Sequence, residues 1–169
     1  NCLKLEKVAV VSKVGSKDSE EAAKTVAKKF LAKKSKVFTI SPIDVEGAKK
    51  VESLEDLKKE KLDLVVTFGG DGTTLSVFRY LENETPILTI NVGGNRGILS
   101  EITIDEIDDA IEKILKDKFF LDKRTRVVAS CGGKEFPPAL NEIYICRTNL
   151  TKTAEIEIKF QNDTVKQKM

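Results

Sequence analysis

Up to about Leu121 the apolar positions alternate between short runs and helical stripes. Within Lys7 to Val14, the residues Val8, Ala9, Val10 and Val11 form the near-continuous apolar run of a strand in a sheet covered on both faces. From Asp18 or Ser19 the period changes to a helical one: Ala22, Ala23, Val26, Ala27, Phe30 and Leu31 recur on one face, and Glu21 follows Asp18 at capping-box spacing. Val37 to Ile40 predicts a second strand ended by Pro42. Ser53-Leu54-Glu55-Asp56 opens a short helix through Leu57 that leads to a third strand, Leu62 to Phe68. Leu75, Val77, Phe78 and Leu81 supply one face of the next helix, and Thr85-Pro86 opens a fourth strand, Ile87 to Val92. Thr103, with Glu106 at the reciprocal position, caps a last helix whose buried face is Ile107, Ala110, Ile111, Ile114 and Leu115. Such alternation of strand and helix predicts an α/β fold built on a Rossmann-like parallel sheet.

Beyond Leu121 the helical period disappears. Arg124 to Ser130 and Glu142 to Arg147 carry β-branched runs, Gly132-Gly133 has the chemistry of a hairpin turn, and Ala154 to Phe160 alternates apolar with charged residues. These features predict antiparallel β structure and a boundary near Asp122. Residues 1–122 then form an α/β nucleotide-phosphate-binding domain, and 123–169 the first part of a β-rich domain. The chain opens at Asn1 without an initiator Met and ends on a polar run, and reads as a fragment.

Two glycine-rich bends interrupt this pattern where chemistry is expected. The third strand breaks into Gly69-Gly70-Asp71-Gly72-Thr73-Thr74 at the start of a helix. Glycines there bring bare backbone N–H groups to a ligand, and a helix N-terminus favours an anion. A carboxylate beside phosphates calls for a bridging cation or a proton transfer, so Asp71 is the candidate for chemistry; the alternative is an Asp that caps the helix. The second bend, Asn91-Val92-Gly93-Gly94-Asn95-Arg96-Gly97, also lies beyond the C-terminal end of a strand, which places both in one crevice.

Composition removes several classes of function. With 169 residues, 40% of them hydrophobic, the chain can bury a core; a net charge of +2 at 33% charged residues makes no case for nucleic-acid binding. No apolar run is long enough for a bilayer and no signal peptide is apparent, so the expected compartment is the cytoplasm. Cys2, Cys131 and Cys146 are scattered, without the spacing of a disulfide framework or a zinc site, and no residue is singled out as a metal ligand. The absence of histidine is more informative, because base chemistry must then fall to a carboxylate. The first strand leads into Val14-Gly15-Ser16-Lys17, which is no dinucleotide fingerprint, and no P-loop motif occurs.

Gly69-Gly70-Asp71-Gly72-Thr73 resembles the signature loop of the NAD kinase family, shared with the diacylglycerol and sphingosine lipid kinases and more loosely with phosphofructokinases. Two further stretches match in family order: Ile90 to Ile102 is similar to the second motif, an I-N-x-G bend leading to G-F-L, and Asn141-Glu142-Ile143-Tyr144-Ile145-Cys146-Arg147 to the third. The resemblance implies transfer of the terminal phosphate of ATP or polyphosphate to the adenosine ribose 2′-hydroxyl of NAD, giving NADP, with Asp71 as proton acceptor. It also implies that Gly69, Gly70, Gly72 and Thr73 cradle phosphates, that Asn95 and Arg96 on the second bend bind nucleotide, and that Asn141, Glu142 and Lys152 lie against NAD. Mg²⁺ or another divalent cation and a homodimer or homotetramer come with it, as does the absence of a nucleic-acid or membrane partner.

The departures from the family pattern concern three places. Ser76 stands five residues after Asp71 where members often carry Arg, with Arg79 the nearest guanidinium, and Ile98 replaces the aromatic of G-F-L. The Asp-Gly pair and T-P-T-G-S-T-type segment that complete the family's NAD site do not occur in these residues. Two other functions share the loop: a lipid kinase, which the Asn-Glu pair argues against, and a nucleotide-binding module without turnover.

Overall fold

The computed structural model describes residues 5–81, 84–95, 97–149 and 151–168. Its strands in the α/β half are β1 (Lys7–Ser12), β2 (Lys36–Ile40), β3 (Lys49–Val51), β4 (Leu64–Gly69), β5 (Ile87–Asn91) and β6 (Ile102–Thr103). They form one six-stranded sheet in the order β3-β2-β1-β4-β5-β6, parallel throughout. The chain winds outward from β1 to β3, returns to β4 on the other side of β1, and winds outward again. The order therefore reverses between β1 and β4, and open α/β sheets form their ligand crevice at the carboxyl ends of the strands flanking such a reversal.

Strand periodicity divides the core between the two faces of the sheet. Val8 and Val10 face α1 (Lys17–Ala32) and α4 (Ile107–Leu115), packing with Ala23, Val26, Phe30, Ile107, Ile111 and Ile114. Ala9 and Val11 face α2 (Leu54–Lys58) and α3 (Asp71–Tyr80), packing with Leu57, Val77 and Leu81. Every residue of β4 is buried, as its apolar run requires. Between β4 and α3 the Thr67 and Thr74 hydroxyls satisfy each other at 3.1 Å in the core.

Some predicted details change. The N-cap of α1 is Ser16, whose hydroxyl accepts from the Ser19 N–H at 3.3 Å, so the helix starts before the expected Asp18 or Ser19; Asp18 remains in the first turn, where it complements the helix dipole. Ser53 caps α2 as expected, and the Thr103–Glu106 box is present, opening a 3₁₀ turn (Ile104–Glu106) that runs into α4. Leu115 is exposed, since Ile107, Ile111 and Ile114 already fill the inward stripe. The strands β3 and β6 went unpredicted because two or three residues are too few for any period to register.

After α4 the structure becomes a small antiparallel β region. The Gly132-Gly133 turn, with φ of 58° and 77°, joins β7 (Ser130–Cys131) to β8 (Lys134–Glu135), and β9 (Glu155–Lys159) pairs with β10 (Thr164–Lys168). The expected strand Glu142 to Arg147 is not formed, and Arg124 to Ser130 contributes only the Val127–Ala139 bridge and the start of β7. A strand exists by virtue of a neighbour's ladder, and among the described residues none pairs with 142–147, where Tyr144 is 84% exposed. Cys131 and Cys146 are free, exposed thiols, Cys2 lies outside the described residues, and no described helix is long and apolar enough to cross a membrane.

The contrast between the two halves is measurable. Phe30→Ala, which empties a fully buried site between α1 and the sheet, should cost about 3–5 kcal/mol in urea unfolding followed by circular dichroism. Ile158→Ala on the half-exposed β9 should change stability by less than about 0.5 kcal/mol.

Candidate active site at the reversal of the sheet

The loop that carries the chain from the end of β4 into the start of α3 holds two kinds of glycine. Gly69 has φ of 147°, and a Cβ there would sit 2.8 Å from Thr73 Oγ1 and 3.0 Å from Lys13 Cβ, so only glycine fits. A Cβ on Gly70 or Gly72 would meet nothing within 4 Å. Those two residues border open space at a helix N-terminus, whose first N–H groups have no acceptors within the helix.

Asp71 does not cap α3. The N-cap is Gly70, which offers no side chain, and the Asp71 carboxylate turns to the second bend instead. Its Oδ2 accepts the Ile98 N–H at 3.1 Å and its Oδ1 the Leu99 N–H at 3.0 Å. Gly97 is required at that contact, because a Cβ would fall 2.1 Å from Asp71 Oδ1 and 2.6 Å from Cγ. The two bends are thus joined directly, as their common position at the strand ends predicts.

Thr89 holds the same bend from below. Buried on β5, its hydroxyl donates to the Leu99 carbonyl and accepts the Glu101 N–H at 2.9 Å. The departure at Ile98 is harmless to this arrangement, since its side chain is 92% exposed and its backbone makes the contact. Gly93 and Gly94 adopt φ of 70° and 68°, Asn95 is exposed on the bend, and Arg96 lies outside the described residues.

A cleft of about 520 Å³ opens beside the loop, walled by the ends of β1 and β2, the start of α2 and the first turns of α3; Lys13, Gly70, Gly72, Thr73 and Ser76 line it on one side. The Ser76 hydroxyl donates to the Gly72 carbonyl at 2.9 Å, one turn back along α3. Arg79 points out of the last turn of that helix and takes no part in the lining. At the start of α2, the Ser53 hydroxyl lies 3.0 Å from the Asp56 carboxylate and holds its pKa below the ordinary value, with Lys59 adding to the effect.

The remaining expected contacts stand apart. Asn141, Glu142 and Lys152 are exposed, and no hydrogen bond or ion pair among the described residues joins them to either bend; the Lys152 carbonyl accepts from Arg147 Nη1 at 3.1 Å. One link does cross from the β region: Arg126 Nη1 donates to the Phe78 and Leu81 carbonyls at 2.8 and 2.6 Å, closing the C-terminal end of α3. Thr89 and Arg126 escaped the sequence reading. A lone hydroxyl in the apolar run Ile87 to Ile90 was the available signal for Thr89, and for Arg126 there was none.

Comparison with known proteins bears on this geometry. The family described as ATP-NAD kinase N-terminal domain matches residues 2–119. The NAD kinase of Methanothermobacter thermautotrophicus is 28% identical over 162 residues, covering 95% of this chain and 56% of that protein. The NAD kinase of Clostridium beijerinckii is 35% identical over 138 residues, 79% of this chain and 46% of that protein. An NAD kinase from Archaeoglobus fulgidus, solved in complex with ATP, shares the fold with a TM-score of 0.68 over 96% of this chain and 56% of that one, at 21% identity. This chain spans about half the length of the curated relatives it matches. The family match runs from before β1 to just past α4 and takes in both glycine bends, and by it the chain belongs to the ATP-NAD kinase N-terminal domain family.

Proposed function

We propose that this chain supplies the phosphate loop and the general base of an NAD kinase, which moves the terminal phosphate of ATP to the adenosine ribose 2′-hydroxyl of NAD. The observation that carries the reading is the Asp71 carboxylate, held at the first turn of α3 by two backbone N–H groups of the bend after β5, between Gly70 and Gly72, which line the cleft at the reversal of the sheet order. Phosphoryl transfer asks little covalent work of a protein: it needs alignment, neutralisation of charge and help with one proton. An ionised carboxylate has about four acceptor sites, and the clamp uses two, which leaves Asp71 able to take the hydroxyl proton. With no histidine in the chain, it is the natural base.

Around it the backbone at Gly69, Gly70, Gly72 and Thr73 receives phosphate oxygens, and Asn95 and Arg96 extend the nucleotide site along the second bend. Asn141, Glu142 and Lys152, beyond a domain boundary near Asp122, belong to the face that holds NAD. A divalent cation fits this setting, since Mg²⁺ needs only one or two carboxylates when it arrives on a polyphosphate. Asp71 stands on the loop where the donor, and the cation with it, would bind. Bound there with the donor, Mg²⁺ would neutralise charge on the phosphates. The working form is a cytoplasmic homo-oligomer.

Three substitutions test the reading. Asp71→Asn should leave ATP and NAD binding within several-fold and lower turnover by roughly 10² to 10⁴, measured as NADP formation; an amide offers one oxygen to two N–H groups, so a stability loss of about 1 kcal/mol should accompany it. Near wild-type turnover would remove Asp71 from the mechanism. Gly97→Ala leaves the acid in place and pushes on it, and should lower turnover about 100-fold, since a misplacement of about 1 Å has that cost. Ser76→Ala should change turnover by less than about fivefold, because a neutral hydroxyl contributes at most about 1 kcal/mol. Collapse of activity there would assign Ser76 the work that Arg does in other members.

A further inference from the structure

We infer that Thr89 is a positioning residue for the Asp71 carboxylate and acts on it through the backbone of Leu99. Leu99 is gripped on both sides. Its N–H donates to Asp71 Oδ1 at 3.0 Å, and its carbonyl accepts a hydrogen bond from the Thr89 hydroxyl. Peptide planarity leaves Leu99 two soft dihedrals, and a partner on each of its peptide groups restrains both. The Thr89 hydroxyl also accepts the Glu101 N–H at 2.9 Å, so its proton and a lone pair are both engaged on the bend. Ile98, the second donor to Asp71, lies in the same turn, which the Ser100 N–H closes on the Gly97 carbonyl at 3.4 Å. Remove the hydroxyl, and the Glu101 N–H keeps the Thr89 carbonyl at 3.1 Å, but the Leu99 carbonyl loses the donor that aims its peptide.

The register of the sheet explains why a threonine at this place reaches the acid. Thr89 pairs with Thr67 of β4, so the two side chains stand on the same face of neighbouring strands, about 5 Å apart. Thr67 meets the hydroxyl of Thr74, which lies one turn into α3 from Asp71. Each half of the clamp is therefore pinned to its own strand, the helix bearing the acid to β4 and the bend bearing the N–H groups to β5. Thr67, Thr74 and Thr89 are 1%, 3% and 4% exposed, so water has little access to replace a lost partner. Burial alone asks for no hydroxyl at position 89, since Ile87, Leu88 and Ile90 beside it on β5 are apolar. Thr39 of β2 shows the contrast: it is fully buried, and its hydroxyl has no hydrogen-bond partner among the described residues.

The inference rests on the kinase reading for what Asp71 does in its position, so one arm of the test needs no activity. In the intact protein, Thr89→Val, Thr89→Ala, Thr89→Ser and Thr39→Val are compared with wild type by amide hydrogen exchange in NMR spectra and by NADP formation. Exchange at the Ile98 and Leu99 N–H groups should quicken by about tenfold or more in Thr89→Val while β1 amides keep their wild-type rates. Thr89→Ala, which also lacks the hydroxyl, should repeat this, and Thr89→Ser, which keeps it, should stay within about threefold of wild type. In the assay Thr89→Val should lower kcat by about 10- to 100-fold with KM within about threefold, because the acid is still present but misplaced. Thr89→Ser should recover most of kcat, and Thr39→Val should match wild type in both measurements. Placed on an Asp71→Asn background, Thr89→Val should cost less than about a further threefold, since the carboxylate it acts on is gone. Wild-type exchange at Ile98 and Leu99 in folded Thr89→Val and Thr89→Ala would overturn the inference, as would an undiminished loss of kcat on the Asp71→Asn background. If the wild-type protein forms no NADP, the kinase reading falls, while faster exchange at Ile98 and Leu99 still upholds the hold of Thr89 on the clamp.

Discussion

Two hydrogen bonds from the backbone of Ile98 and Leu99 to one carboxylate hold the functional part of this fold together. Without them the loop after β4 and the bend after β5 would be separate connections at the top of a sheet. Hydrogen bonds to an ionised acceptor are worth roughly 1.5–3 kcal/mol each, more than a neutral pair, and this pair leaves no room for a side chain at Gly97. The glycine at position 97 follows from that contact. Gly69 and Gly97 are glycine because atoms crowd them, whereas Gly70 and Gly72 border open space that a ligand could occupy.

The fold was legible in the first 119 residues because burial on both faces of a parallel sheet imposes long apolar runs and helices with clear stripes. Val8 to Val11 and Ala23 to Phe30 could hardly be read otherwise. Caps were legible where a Ser or Thr stood alone before a stripe, as at Ser53 and Thr103, and misplaced at α1, where the capping-box spacing of Asp18 and Glu21 pointed two residues past Ser16. After α4 the same residue types were less informative. A β-branched run becomes a strand only when another strand is beside it, and that condition, met at β9 by β10, is not met at 142–147 among the described residues.

The site was legible in its chemistry and not in its contacts. Sequence could nominate Asp71 as the acid of a phosphate loop, since glycines flank it and histidine is absent, but the capping alternative was equally local. What separates the two is the position of Ile98 and Leu99, 27 and 28 residues further on. Thr89 escaped notice for a similar reason: its hydroxyl supports a backbone turn ten residues away, and nothing nearby in the sequence signals that turn.

Helix α3 is anchored at both ends by groups outside itself. Its first residue is tied to the second bend, and the carbonyls at its C-terminal end receive the guanidinium of Arg126 from the segment after α4. Ten residues of helix make a rod about 15 Å long, stiff compared with the loops at either end. The two anchors lie at opposite ends of that rod, one in the bend after β5 and one at Arg126. The β region, which touches neither bend through Asn141, Glu142 or Lys152, thus meets through Arg126 the same helix whose first residue is Asp71.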